Sequence, residues 1–268
     1  MPDLTPELLR EMLGMRAPET GTVSVLVTDM SRRLGVRCNE MLLGERCLPA
    51  ICLTPDAPVP SGLGVLYCHA HGNRPEIGKT EVTLGRPALC DPPLGLALAE
   101  AGATVLCVDM PGFGTRQVEG REEALANASL WRGRTLLGEM LTDLDLARRA
   151  RTSRPGVDPG QIAVLGISMG GTLAYVHAAL SPEIAACAQL CVMADIGALI
   201  ATGAHDLHGP YMTIPGLLPD HDMGDIAGLV APRPQLIATG ARDPLTPDDA
   251  YRSASDRVRR AYAEMPER

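Results

Sequence analysis

Apolar and polar positions along the chain follow two distinct periods. From Gly64 onward, short apolar runs rich in β-branched residues alternate with longer stretches of helical spacing. Strands are predicted at Gly64 to Cys68, Thr104 to Asp109, Ile162 to Leu165, Ala185 to Val192 and Gln235 to Ala238. Helices are predicted over Leu94 to Ala101, about Leu130 to Arg151, Thr172 to Leu180 and Ala250 to Met265. Such alternation implies right-handed crossovers and a parallel sheet, whose strands are apolar on both faces. Ahead of it, Val23 to Thr28, Val36 to Leu43 and Leu48 to Leu53 read as strands, the last two joined through Gly44-Glu45-Arg46 as a hairpin, so antiparallel strands open the sheet. Thr5-Pro6-Glu7 is a helix start followed by the apolar stripe Leu8, Leu9, Met12 and Leu13, which runs on to Met15. Pro55 to Gly62 and Pro155-Gly156 read as connections. Ala194 to Val230 is irregular, with Gly209-Pro210 and Pro215-Gly216 inside it.

One handover from strand to helix carries chemistry. Ile162 to Leu165 is followed by Gly166-Ile167-Ser168-Met169-Gly170 and then by the helical Thr172 to Leu180. Small residues two before and two after a serine allow a sharp, closely packed bend that lifts the hydroxyl clear of the sheet. Ser168 then stands at a helix N-terminus, where unpaired N–H groups favour developing negative charge. The plain alternative is an ordinary tight turn.

A serine nucleophile needs a base, an acid to orient the base, and donors for the oxyanion. The backbone N–H of Met169 is the first candidate donor, and that of His71, in Cys68-His69-Ala70-His71-Gly72-Asn73, is the second. Asp243 follows the strand Gln235 to Ala238 and is the candidate acid, although Asp-Pro is also turn chemistry. No histidine follows Asp243. His69 and His71 lie in the donor loop, and His177 is expected to be buried on the helix after the bend. His205, His208 and His221 lie in the irregular segment. His208 and Tyr211 are candidate substrate-lining residues, and His208 could act as a base only if residues 194–230 fold over Ser168. Gly78-Lys79-Thr80 resembles the end of a phosphate loop, but Asn73 occupies the position where the first glycine is required, and Gly85, Pro87, Pro92 and Pro93 oppose a long helix after it.

Composition narrows the classes. The 268 residues, 46% hydrophobic, suffice for one α/β domain over residues 1–268, with 1–20 as an N-terminal helical segment and 194–230 as a site-covering segment. A net charge of −8 and the absence of a basic run argue against a nucleic-acid or anionic-membrane partner. The densest basic cluster, Arg148, Arg149, Arg151 and Arg154, reads as a solvated helix face. The 8 cysteines show no C-x-x-C spacing and read as reduced core thiols. No signal sequence or long apolar span is apparent, so a cytoplasmic location is expected.

Taken together, His69-Ala70-His71-Gly72-Asn73 with Gly78-Lys79-Thr80-Glu81, Val108-Asp109-Met110-Pro111-Gly112-Phe113-Gly114-Thr115-Arg116, the Ser168 bend, Tyr211 to Leu218, and Ala231-Pro232-Arg233-Pro234 before Asp243 resemble the α/β-hydrolase superfamily. The likeness is to its dienelactone-hydrolase-like and acetyl-xylan-esterase-like members, and it covers most of the chain from about Leu48. It implies an α/β-hydrolase fold: a mostly parallel sheet, an antiparallel N-terminal hairpin, and helices on both faces. It implies a serine esterase with Ser168 as nucleophile and Asp243 as acid, hydrolysing a small-molecule ester without cofactor or metal. Serine rather than the cysteine of dienelactone hydrolases proper points to esterase chemistry. The family's last strand, its histidine loop and its final helix find no match here, so they are expected to be missing. Gln235 to Ala238 would then be an open edge, and a homo-oligomer is expected. A non-catalytic binding or scaffold protein of the same fold is the alternative that the missing histidine raises. With one Trp, one Phe and five Tyr, there is little aromatic surface for stacking on sugars.

Overall fold

A computed structural model describes residues 3–15, 21–56, 62–152 and 157–265. Among these residues eight strands form one sheet: β1 (Val25–Arg33), β2 (Val36–Leu43), β3 (Leu48–Pro55), β4 (Gly64–Cys68), β5 (Thr104–Val108), β6 (Ile162–Ile167), β7 (Ala186–Leu190) and β8 (Gln235–Ala238). Their spatial order is β1-β2-β3-β5-β4-β6-β7-β8. The β1-β2-β3-β5 pairings are antiparallel and all later ones parallel. The carboxyl ends of β4 to β8 therefore share one edge, where ligands of such sheets bind.

The helices are α1 (Pro6–Met12), α2 (Glu81–Leu84), α3 (Leu94–Glu100), α4 (Glu122–Trp131), α5 (Leu136–Thr152), α6 (Met169–Leu180), α7 (Ile196–Thr202), α8 (Met223–Gly228) and α9 (Asp248–Ala263). Side chains alternate between sheet faces. Leu66, Leu106, Ile162 and Val164 point to the larger core with α1, α5, α6, α8 and α9, while Val65, Tyr67, Val105 and Cys107 meet α2 and α3 on the other face. Helices thus lie on both faces. Over β6 to β8 the second face is only partly covered: Leu165, Ala188 and Leu190 are half-buried and Leu236 is exposed. β8 is an edge strand among the described residues.

Several expectations need correction. The helix expected over about Leu130 to Arg151 is two helices, because Gly133 at φ 68° turns the chain and Thr135 Oγ1 accepts the Gly138 N–H at 2.9 Å to start α5. α4 had no apolar stripe strong enough to be seen. β1 runs on to Arg33, and a Leu34-Gly35 turn joins it to β2. Its polar half is an exposed edge with no face to bury, so it carries no alternation. The irregular segment contains α7 and α8. Arg151 does not lie on a solvated face: it is buried, and its Nη2 donates to the Thr104 carbonyl at 3.2 Å. Arg154 and Pro155-Gly156, together with residues 16–20 and 57–61 of the N-terminal segment and the Pro/Gly-rich connection, lie outside the described residues. All eight cysteines are free, but Cys47, Cys90 and Cys191 are exposed rather than in the core. No helix among the described residues is long and apolar enough to cross a membrane.

Candidate active site

β6 ends at Ile167, α6 begins at Met169, and Ser168 alone makes the turn at φ 54° and ψ −124°. A side chain held there stores strain on the order of 1–3 kcal/mol, which persists only where the surroundings enforce it. The two glycines do the enforcing. A Cβ on Gly166 would lie 1.9 Å from the Gly170 carbonyl oxygen, and one on Gly170 would lie 2.0 Å from that of Cys68. The Ser168 N–H donates to the Leu190 carbonyl at 2.8 Å, fastening the turn to β7. Ser168 Oγ and the Met169 N–H have no hydrogen-bond partner among the described residues, whereas the Gly171 and Thr172 N–H groups donate to the Ser168 carbonyl at 2.7 and 3.1 Å.

The loop after β4 is held from behind. Glu81 accepts from the Tyr67 hydroxyl at 2.9 Å and from the Ala70 N–H at 3.1 Å, and it pairs with Arg86. Arg86 donates in turn to the carbonyls of Ala70, at 2.5 Å, and His71, at 3.2 Å. With those groups engaged, the His71 N–H stands without an acceptor among the described residues. His69 is buried, accepts the Met110 N–H on Nε2 at 3.2 Å, and is held below the usual imidazole pKa by burial. Lys79 is no phosphate ligand: its ammonium is buried 2.9 Å from Asp109 Oδ2, and the same carboxylate takes the Lys79 N–H at 2.7 Å and the Thr115 N–H at 3.0 Å.

At the carboxyl edge a cavity of about 510 Å³ opens, with Ser168, His71, Glu122, Cys191, His208 and Tyr211 in its wall. His208 Nε2 lies 3.0 Å from the Leu245 carbonyl, and burial lowers the pKa of the ring. Asp243 follows β8 at the same edge, with Oδ1 accepting the Leu245 N–H at 2.9 Å.

The family described as "Alpha/beta hydrolase family" matches residues 70–268. The chain is 32% identical over 266 residues to "Putative hydrolase YtaP" of Bacillus subtilis (strain 168), an alignment covering 98% of this chain and 83% of that protein. The chain belongs to the alpha/beta hydrolase family. Among solved structures, a "putative acetyl xylan esterase" from Bacteroides fragilis NCTC 9343 superposes with a TM-score of 0.74 at 18% identity, covering 96% of this chain and 70% of that one. A glucuronoyl esterase from Solibacter usitatus gives 0.66 at 12% identity, over 96% and 79%. At these identities the superpositions speak for the fold.

In this alpha/beta hydrolase, the candidate residues Ser168, Met169, His71, His208 and Tyr211 come together around or beside one cavity. Asp206 to Tyr211, running from one short 3-10 turn into the next, line the same cavity as Ser168. Asp243 does not line the cavity. Its carboxylate shapes the turn after β8 and reaches His208 through charge alone. No histidine lies within hydrogen-bond distance of Ser168 Oγ among the described residues. Two wall residues carry no signal of their own in the sequence pattern: Glu122, at the start of the weakly patterned α4, and Cys191, an exposed thiol at φ 56° just past β7. The one available signal for Cys191 was its place after a strand in the carboxyl-edge register of Ser168.

Proposed function

We propose that the chain is a serine hydrolase that cleaves a small ester, of the kind acted on by dienelactone-hydrolase-like and acetyl-xylan-esterase-like proteins. Ser168 Oγ bonds to the ester carbonyl carbon and the carbonyl π electrons move to its oxygen. The N–H groups of Met169 and His71 receive that oxyanion. As it collapses, the C–O bond to the alcohol breaks, the leaving oxygen takes up the proton that Ser168 Oγ has given up, and the acyl group stays on Ser168; water then adds to the acyl carbon, the carboxylic acid departs and Ser168 Oγ regains a proton. Asp243 is the acid of this proposal, and His208 and Tyr211 line the substrate. No cofactor or metal takes part in the sequence of steps. The eight free thiols suit a reducing, cytoplasmic setting. Self-association through the β8 edge belongs to the same reading.

The observation that carries the proposal is the strained backbone of Ser168, held by two glycines that admit no Cβ, beside a main-chain amide left without a partner. The test is labelling by a fluorophosphonate probe together with p-nitrophenyl acetate turnover. Both are expected to be lost in Ser168→Ala. Turnover unchanged by that substitution would reject the proposal. A second reading, a non-catalytic binding protein of the same fold, draws on one fact: Ser168 Oγ lacks a histidine partner among the described residues. It predicts a folded protein that neither labels nor turns over ester.

A further inference from the structure

The carboxylate of Glu122 has no part in the reaction drawn above, yet both of its oxygens are engaged in the cavity wall. Oε2 lies 2.7 Å from Nε2 of His71, and Oε1 accepts the Tyr211 N–H at 3.1 Å. Nδ1 of His71 accepts the Asn73 N–H at 3.0 Å, so these partners assign the ring proton to Nε2, from where it is donated to Glu122. His71 is thus gripped at both ring nitrogens. Its ring packs T-shaped with Phe113, with centroids 5.2 Å apart at 78°, and its carbonyl is taken by Arg86. What remains of that peptide is the N–H that the proposed reaction uses. The opposite wall is built closely onto the same carboxylate: a Cβ on Gly209 would lie 2.4 Å from Glu122 Oε1. The Glu122 side chain is only 10% exposed, so water screens these bonds weakly.

We propose that Glu122 is a positioning residue, whose carboxylate, by clasping the His71 ring and the Tyr211 amide together, sets the His71 N–H in the place where it receives the oxyanion. The inference rests on the serine-hydrolase reading. Its physical basis is that an oxyanion donor works only when held at the position the charged oxygen will occupy, and bonds at both ring nitrogens add to the backbone anchors in restricting rotation of the peptide that carries the donor. The competing role for Glu122 is structural. As the first residue of α4 it suits the helix dipole, and with His71 it separates the Ser168 cavity from a neighbouring one of about 440 Å³ that Phe113 and Gln117 line. A purely structural role changes stability or KM and leaves kcat alone.

The experiment compares kcat and KM for p-nitrophenyl acetate, with the rate of fluorophosphonate labelling, in the wild type, Glu122→Gln, Glu122→Ala, His71→Ala, the Glu122→Ala/His71→Ala double variant and Ser168→Ala. Glu122→Ala is expected to lower kcat and labelling by about tenfold or more, approaching the roughly hundredfold loss of a whole donor, with KM within about threefold of wild type. Glu122→Gln, whose amide oxygen can still accept from His71, is expected to lie between Glu122→Ala and wild type. The double variant should be no slower than the slower single one, because both remove the same clasp. A kcat within threefold of wild type in Glu122→Ala, or losses that multiply in the double variant, overturns the clasp while Ser168-dependent turnover persists. If Glu122→Ala does not fold, Glu122→Gln decides in the same way: lowered kcat at unchanged KM supports the clasp and unchanged kcat overturns it. Turnover indifferent to Ser168→Ala overturns both readings.

Discussion

His177 shows what one buried residue does to the pH response. It lies on α6 with Nε2 lacking a partner among the described residues, and burial pushes its pKa down to about 4, helped by Arg148 and Arg10 and opposed by Asp145. The unfolded chain binds a proton at this ring near pH 6.5, the folded chain only near 4, so unfolding takes up a proton between those values. Stability is therefore expected to fall as pH is lowered through that window, by roughly 3 kcal/mol from this group. His69, lowered in the same direction, adds to the effect. Urea unfolding of the wild type and His177→Leu at pH 7 and pH 4.5 checks it; the variant should lose less stability between the two, and equal losses would contradict the assignment. At this scale Ser168 was legible in the sequence because its neighbours at two residues either side carry the constraint. Glu122 was not, because its meaning depends on His71, 51 residues away.

Elements were legible where burial imposes a period, and illegible where contacts from elsewhere decide. β2 and β8 fall where alternation and apolar runs place them. β1, α4 and α7 carry weak patterns and take their bounds from packing and capping. The pair α7 and α8 shows how. Asp222 accepts the Ile196 N–H at 2.7 Å, the Gly197 N–H at 2.8 Å and its neighbour Met223 N–H at 2.7 Å, so one buried carboxylate caps two helices. Asp195 returns the exchange by accepting the Gly224 N–H at 2.9 Å while it holds Arg257 and Ser253. Asp222→Ala orphans three donors and is expected to cost on the order of 2 kcal/mol in urea unfolding, with Asp222→Asn costing less. Equal stability of the alanine variant and the wild type would show that water replaces the cap freely. The wall over Ser168 hangs from these helices, so the same variant should also raise KM for the ester.

On the scale of the whole molecule, the uneven cover of the sheet is the dominant feature. One face is packed by α1, α5, α6, α8 and α9, whereas over β6 to β8 the other leaves Leu165, Ala188 and Leu190 half-buried and Leu236 58% exposed, beside β8, which pairs on one side with β7 and is an edge strand among the described residues. Apolar surface next to an unpaired edge promotes pairing between copies. Self-association in the micromolar range is expected in sedimentation velocity, reduced by Leu236→Lys. A monodisperse monomer at all concentrations would count against it.

Local pattern along the chain is enough to give the layer architecture, the direction in which strands progress, and the place of the serine. Each of these is written in local periodicity and in two glycines whose absent side chains make a bend possible. Tertiary structure alone decided which groups surround that serine. The Glu81–Arg86 support of the donor loop, the Glu122 clasp, the turn that engages Asp243 and the burial of Arg151 all join residues far apart in the chain, and a one-dimensional pattern carries no record of distances that only folding closes.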